Sequence, residues 1–240
     1  KANSFPYICT LFFIMEKLFI FIIFALTATI TQAQTHEVGV FVGGTNYSGD
    51  IGKTNYLYPN EVGGGLVYKY NLNPRIALRG TYTYIPVSGD DKDAENKFRQ
   101  NRGNNFSNNI HEFAVGVEFN FFDYNISDYK TTFTPYILAE IAAFNYSSPV
   151  ELTSANTVLL KNSFSYSLPV GIGIKGRLDD HLAIAFETGV RFTLVDDIDF
   201  TTDKINNLNF GGTGNDWYMF TGISIVYSFG RPPCYKGLAE

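Results

Sequence analysis

The residues of this chain that could carry chemistry are charged side chains that lie an even number of residues apart within apolar segments. In one segment Glu187 and Arg191 alternate with Phe186, Val190 and Phe192. Residues two apart share one face of a β-strand, so these charges lie on one face together with small residues. If such a face lines a narrow interior, its acids must pair with its bases, because burying an isolated charge is costly. Five acids and five bases are placed in this way: Glu37, Lys69, Arg79, Glu112, Glu118, Glu140, Lys175, Arg177, Glu187 and Arg191.

Histidine and serine give little indication of an active site. His36, His111 and His181 are far apart, and none is spaced with Cys, Asp or a second His as a metal site needs. We predict that they are polar residues at a membrane interface. A lipid-acting enzyme could use a Ser and His pair at the membrane edge, and His111 does follow Ser107. One loop serine near one histidine is weak support, so we predict no catalytic residue, no cofactor and no enzymatic activity.

An acidic run and a glycine run are the remaining candidates for ligand binding. Asp196-Asp197-Ile198-Asp199 with Asp203 could hold calcium, because hard cations prefer several carboxylates. A solvated loop explains the run equally well, and the glycine spacing of a calcium loop is missing. Gly63-Gly64-Gly65 is not followed by the helix that a phosphate loop requires. We expect it to allow close packing or a bend.

The elements that must position the ten charges are β-strands. In the last segment Thr221, Ile223, Ile225 and Tyr227 alternate with small residues, and its length fits a tilted membrane strand of about 9–11 residues. The same alternation occurs seven more times. The predicted strands are 36–44, 61–71, 75–85, 110–121, 134–146, 167–178, 181–192 and 217–229.

This pattern predicts an all-β fold, an eight-stranded antiparallel transmembrane β-barrel of the outer-membrane type. Long connections (45–60, 86–109, 147–166 and 193–216) alternate with shorter ones, and in such barrels the short turns face the periplasm. Both termini are therefore expected in the periplasm. Eight strands enclose only enough room for side chains, so the ten charges are predicted to plug the lumen rather than form a proton or ion path. A soluble lipocalin-like barrel, the main alternative, would place its apolar face inward.

The amino terminus has the pattern of a secretory signal. Residues 15–33 combine a charged start, an apolar run and a small-residue cleavage site, and residues 1–14 are interpreted as upstream translation. A signal anchor over 7–24 is the alternative, but Glu16 and Lys17 interrupt it. The predicted barrel is 34–229 and the tail is 230–240. Removing residues 1–33 leaves a net charge of −6, because it removes two of 18 basic and one of 23 acidic residues. This charge does not favour nucleic-acid binding.

The tail is predicted to bind a partner. Pro232-Pro233 cannot continue the sheet and stiffens the chain into an extended form. Cys234 is the only cysteine left once Cys9 is removed, so it is either a free thiol or half of a disulfide to another chain. The candidate partner-binding residues are Arg231, Pro232, Pro233, Cys234 and Tyr235.

The two ends of the expected mature chain carry a family resemblance. His36–Tyr47 with Gly49-Asp50, together with Ser228–Tyr235, resembles the PorG-like outer-membrane proteins of the type IX secretion system of Bacteroidota. The resemblance extends from about Thr35 to Tyr235. It implies a non-enzymatic component of a secretion and gliding machine that contacts a periplasmic ring built from a PorK-like lipoprotein and a PorN-like protein.

The resemblance also suggests a partner for Cys234, namely a disulfide to a ring lipoprotein at the same membrane surface. The expected surroundings are outer-membrane lipid. The alternative function is a stand-alone surface barrel whose long loops bind something outside the cell. Trimming the long loops would disable the second kind of protein, whereas deleting 230–240 would disable the first.

Overall fold

The computed structural model describes residues 36–55, 57–124, 133–152, 158–179, 181–202, 205, 208 and 214–230. The segments 1–14 and 15–33 interpreted as upstream translation and signal lie outside the described residues. So do Asp203 and the proposed partner-binding residues Arg231, Pro232, Pro233, Cys234 and Tyr235.

Eight antiparallel strands form one closed sheet. The strands are β1 (His36–Ser48), β2 (Glu61–Asn73), β3 (Ile76–Asp90), β4 (Asn105–Asn120), β5 (Phe133–Leu152), β6 (Val158–Arg177), β7 (Leu182–Thr193) and β8 (Trp217–Phe229). Each strand pairs with the next, and β1 pairs with β8 along its whole length to close the ring. The predicted all-β, eight-stranded antiparallel barrel is confirmed. A short helix, α1 (Lys97–Arg102), lies between β3 and β4.

The apolar members of each strand face outward. Val40 and Val42 of β1, Phe113 of β4 and Ile172 of β6 are each more than half exposed, although their strands are paired on both sides. On the opposite face of these strands, charged side chains such as that of Glu118 in β4 face inward and are buried. This is the reverse of a soluble barrel, and it gives the wall the surface that hydrocarbon requires. Among the described residues, no helix has the length and hydropathy needed to cross a membrane.

Two rings of aromatic and histidine side chains border the apolar wall. At one end His36 stacks on Phe229, and its Nδ1 shares a hydrogen bond of 2.7 Å with the Tyr68 hydroxyl. At the other end the Nδ1 of His111 lies 2.9 Å from the Tyr82 hydroxyl. His181 stacks on Tyr227, so all three histidines lie in these rings. Such rings occur where a barrel crosses the two membrane interfaces.

The strands extend further than the sequence indicated at the end where β1–β2, β3–β4, β5–β6 and β7–β8 are connected, which we call the long-loop end. The predicted loop 86–109 is wrong at both of its ends, because Pro86–Asp90 pairs with Asn105–Asn109. The predicted loop 147–166 is also wrong, because β5 and β6 continue as a hairpin to Leu152 and Val158. The barrel wall therefore projects beyond the ring that contains His111.

The turn between β3 and β4 is clamped by one buried acid. Asp91 accepts two hydrogen bonds from Arg102, at 2.7 and 2.9 Å, and one each from the backbone N–H groups of Gly52 and Asn104. Burial opposes ionisation of Asp91, but these bonds lower its pKa below the usual value. Because Gly52 belongs to the β1–β2 connection, the clamp joins two neighbouring loops.

Candidate functional site

The interior of the barrel holds the charges that the sequence singled out, and it is organised around Glu118 of β4. This carboxylate is fully buried. Lys69 of β2 approaches it at 2.7 Å and Lys175 of β6 at 2.5 Å, from opposite sides of the lumen. Arg79 lies 3.6 Å away. Three cations thus converge on one acid, which bridges strands that are not neighbours in the sheet.

Arg79 extends the network across the barrel. It donates to both carboxylate oxygens of Glu187 on β7, at 2.5 and 3.1 Å, and its Nε lies 3.5 Å from Glu140 of β5. The Tyr136 hydroxyl donates to Glu187 at 2.8 Å. A two-pronged arginine bond fixes geometry as well as charge, so Glu187 is held from two sides.

A second group lies nearer the long-loop end. Glu112 accepts hydrogen bonds from the Tyr218 hydroxyl at 2.6 Å and from the Ser167 hydroxyl at 3.3 Å. The Nε of Arg191 is 3.4 Å from the same carboxylate. We call the two groups together the lumen plug, which consists of Lys69, Arg79, Glu112, Glu118, Glu140, Lys175, Glu187 and Arg191.

Two of the ten charges that the sequence singled out have other neighbours. Glu37 is buried near the opposite end, where the side-chain amide of Asn71 donates to it at 2.8 Å. Arg177 lies at the end of β6, and its Nε donates to the backbone carbonyl of Asp179 at 2.8 Å. The structure thus brings eight of the ten together in the plug and places Glu37 and Arg177 towards the short turns.

Small residues in the wall make room for these side chains. Gly116 of β4 faces the lumen between Arg79 and Glu140 in the sheet register. A Cβ added there would lie 2.7 Å from the Cγ of Glu140 and 2.2 Å from a backbone oxygen. Gly65, from the glycine run in β2, leaves space for the Phe41 ring in the same way, since its added Cβ would be 2.8 Å from that ring. The run therefore serves close packing.

Above the plug, the long-loop end of the lumen is filled by apolar and aromatic side chains. The buried cluster consists of Tyr47, Ile51, Ile85, Val87, Phe106, Ile110, Phe144, Tyr146, Ile198 and Tyr218. Ile198 comes from the β7–β8 connection, whose described residues 194–202 fold over the opening. We call residues 194–202 and 214–216 the cap.

Two carboxylates of the acidic run, Asp197 and Asp199, are engaged by hydroxyl and backbone groups. The two oxygens of Asp197 accept from the Tyr146 and Ser148 hydroxyls, at 2.6 and 2.7 Å. Asp199 accepts from the backbone and hydroxyl of Thr201, at 2.9 and 2.7 Å. No group of three or more potential metal ligands occurs among the residues that the structure describes. These carboxylates instead attach the cap to β5 and to its own backbone.

Asp216 attaches the cap to β1. It accepts a hydrogen bond from the Tyr47 hydroxyl and another, at 2.9 Å, from the backbone N–H of Ile198. Burial raises the pKa of Asp216 to about 8, and the nearby Asp199 carboxylate contributes to the rise. Burial raises the pKa of Asp199 as well. When the cap is closed at neutral pH, the pair of Asp216 and Asp199 therefore carries a proton.

This proton makes the cap sensitive to pH. The pKa of Asp216 rises on closure from the usual 3.8, so between about pH 4 and pH 8 the closed cap binds a proton that the open cap releases. Closure should weaken as the pH rises through that window, by at most about 1.4 kcal/mol per pH unit. Hydrogen exchange of the Ile198 amide between pH 5 and 8 measures the effect. In Asp216→Asn the pH dependence should become weaker, because only Asp199 would still gain a proton on closure; an unchanged slope in that variant would assign the proton to another group.

The plug and the apolar cluster together close the interior, so the barrel should not conduct ions. We expect the purified protein to show no steady conductance in planar bilayers, whereas a 16-stranded porin in the same bilayers gives the conductance of its aqueous channel. Steady single-channel steps from the protein itself would contradict a sealed lumen.

Several residues of the site were not indicated by the sequence. Tyr136, Tyr218 and Ser167 supply hydroxyls to the plug, and Tyr47 with Asp216 holds the cap. The available signal was their position: by the two-residue alternation Tyr136 shares the inward face of β5 with Glu140, and Tyr218 shares that of β8 with Gly222 and Ser224.

Comparison with solved structures finds other small outer-membrane proteins. Neisserial surface protein A is 10% identical, with 81% of this chain and 97% of that chain covered and a TM-score of 0.48. Ail of Yersinia pestis is 12% identical, with 82% and 100% covered and a TM-score of 0.46. A major outer membrane protein of Thermus thermophilus is 16% identical, with 82% and 100% covered and a TM-score of 0.46. Similarity of this size carries no information on function.

Comparison of the sequence with protein families is more decisive. No curated protein matches the chain. One family model, a domain of unknown function designated DUF6089, matches residues 16–237 and so covers nearly the whole chain. The chain therefore belongs to the DUF6089 family.

Proposed function

We propose that this protein is a non-enzymatic outer-membrane component that anchors or positions a periplasmic assembly. The observation that carries the proposal is a lumen filled by paired charges and apolar side chains. Glu118 with its three cations and the apolar cluster above it occupy the interior. Because such a barrel offers no passage, its function must lie in the loops, turns and tail at its two ends. The apolar wall holds these parts at the membrane surface.

The partner that we propose is the ring complex of the type IX secretion and gliding machinery. Support comes from the sequence of β1 and of the chain end, which resembles PorG-like proteins. In this proposal the short turns and the tail face the periplasm, where Arg231, Pro232, Pro233, Cys234 and Tyr235 contact a PorK-like lipoprotein or a PorN-like protein. Cys234 forms the intermolecular disulfide.

Pull-down from native outer membranes tests this proposal. Wild type is compared with Cys234→Ala and with a chain that ends at Gly230, each with and without reductant. We expect a periplasmic lipoprotein to co-purify with wild type and a reductant-sensitive adduct to be lost in Cys234→Ala. The truncated chain should lose the partner altogether.

Two outcomes would contradict the proposal. If the truncated chain retains the partner, the tail does not bind it. If no periplasmic protein co-purifies with wild type, the anchoring function is wrong. If the Cys234 thiol of wild type can be labelled while the partner still co-purifies, the proposed disulfide is wrong but the proposed contact stands.

A stand-alone surface barrel is the second candidate, and the projecting wall favours it. The β5–β6 hairpin and the clamp around Asp91 build an ordered surface beyond the ring containing His111. Shortening the hairpin by residues 150–159, beyond the residues that contact the cap, discriminates the two functions. The ring-anchoring protein should tolerate the deletion, whereas a protein that binds partners through its long loops should not.

A further inference from the structure

The two edges of the β5–β6 hairpin differ where it projects beyond its neighbours. Strand β6 pairs with β5 from Val158 onward, but its pairing with β7 begins only at Ser167. The last contact on that side is the hydrogen bond from the Leu194 N–H to the Tyr166 carbonyl, at 3.2 Å. Among the described residues, no strand pairs with 158–165 on the β7 side. We call this stretch the free edge.

The opposite edge of the hairpin is covered at Ser147, two residues beyond the last β4–β5 pair. The side-chain amide of Asn108 donates to the carbonyl of Ser147 at 2.8 Å, and its oxygen accepts from the Ser147 N–H at 3.1 Å. This pair of bonds imitates a neighbouring strand. Tyr146 and Ser148 lie buried against the cap and donate to Asp197. The β5 edge is thus satisfied at Ser147 by a side chain, whereas no described residue plays this part for 158–165.

The free edge offers backbone groups at alternate residues. Because the Tyr166 carbonyl faces β7, the N–H and C=O groups of Phe164, Asn162 and Leu160 face the same way. The side chains beside them are exposed: Phe164 to 78% and Leu160 to 47%. Soluble and surface proteins usually protect such an edge with charges, proline or a covering segment. Here Lys161 is the only charged residue between 158 and 165.

We propose that the free edge binds an extended segment of a partner polypeptide as an added β-strand. A row of alternating donors and acceptors recognises an extended backbone and not a lipid or a sugar. The side chains specify the partner further. Phe164 and Leu160 fit apolar residues at alternate positions, and Lys161 fits an acidic residue on the other face. The site is separate from the periplasmic surface of the proposed function and does not depend on it.

The membrane argues against a second copy of this chain as the occupant. Two barrels in one membrane stand upright, related by rotation about the membrane normal. Strands of such barrels tilt by about 35–45° from that normal. Facing copies of β6 would therefore cross at a steep angle, and antiparallel pairing would require one barrel to be inverted. A flexible segment of a different protein has neither restriction.

Peptide binding to the full-length mature protein in nanodiscs tests the proposal. The probe is an eight-residue peptide of alternating valine and threonine with one central glutamate. Two further probes carry N-methyl groups on one or the other set of alternate amides. Edge pairing uses only one set, so one methylated probe should bind as the parent does and the other should not bind.

Variants of the edge provide the matched comparison. Asn162→Pro removes an N–H that faces the free edge and leaves the β5 ladder intact, while Asn162→Ala keeps that N–H. We expect Asn162→Pro to weaken binding by about tenfold or more, the equivalent of one lost backbone bond together with ring interference. Asn162→Ala should stay within about twofold of wild type. Phe164→Lys, which places a charge on the edge, should also weaken binding.

Hydrogen exchange completes the test. The amides of Leu160, Asn162 and Phe164 should exchange fast in the free protein and become protected with the peptide. The proposal is overturned if both methylated probes bind equally, or if Asn162→Pro and Phe164→Lys both bind like wild type. It is also overturned if the three amides are protected without peptide, because the chain itself would then cover the edge.

Discussion

Replacing Glu118 with glutamine should destabilise the folded barrel more than any other single change in the plug. Lys69, Lys175 and Arg79 all approach this carboxylate, and each of them is nearly inaccessible to solvent. Loss of its charge leaves buried cations that cannot be hydrated. Breaking a buried ion pair from one side costs about 3–5 kcal/mol. The free energy of unfolding in urea, followed in lipid by the gel shift between folded and unfolded barrel, measures the loss.

Two variants make this expectation specific. Asp123→Asn removes an ion pair with Arg75 in which both side chains are more than half exposed, so it should cost less than about 1 kcal/mol. Adding Lys69→Met to Glu118→Gln removes one of the uncompensated cations and should restore part of the lost stability. If Glu118→Gln and Asp123→Asn are equally stable, the plug does not hold the barrel together.

Phe144→Ala should cause the largest loss in the apolar cluster at the long-loop end. The Phe144 ring is fully buried and lies 5.3 Å from the Tyr146 ring and 5.8 Å from the Tyr218 ring, centroid to centroid. Removing a buried aromatic ring costs about 3–5 kcal/mol, because the surrounding side chains fill the cavity only partly. The same urea titration measures it, and hydrogen exchange of the Ile198 amide should report a loosened cap.

Phe164→Ala is the matched control, since Phe164 stands on the neighbouring strand with its ring largely in solvent. We expect a change within about 0.5 kcal/mol for that exposed position. A similar loss for the two variants would mean that the cluster does not contribute to stability through packing.

The number of strands and their inward and outward faces could be predicted because both depend on local alternation. Alternation assigned Glu118 and Arg79 to the inward face directly. Their partners could not be predicted, because Lys69 and Lys175 reach Glu118 from strands β2 and β6, across the lumen. Such contacts depend on the register of all eight strands around the closed sheet. This register cannot be read from any single segment of the sequence.

The strand ends at the long-loop end were predicted less well. Pro86, Ser88 and Gly89 resemble a loop, and so do Ser107 and Asn109 on the facing strand. These two segments form strands because they pair with each other. In addition, apolar residues within them, such as Val87 and Phe106, are buried under the cap. Local propensity was overridden by packing that the sequence does not display.

The sheet closes by pairing of β1 with β8, so the barrel cannot be completed before the last strand is present. The two strands pair over thirteen residues, from His36 with Phe229 to Ser48 with Trp217. They are the first and last strands of the barrel, so this contact joins the most distant parts of the chain and carries the largest entropy of loop closure. The hydrogen bond from Tyr218 of β8 to Glu112 also requires the last strand to be in place. A growing or truncated chain that lacks its last strand remains an open sheet with two unpaired edges. Only a chain that contains β8 can therefore assemble into a closed barrel.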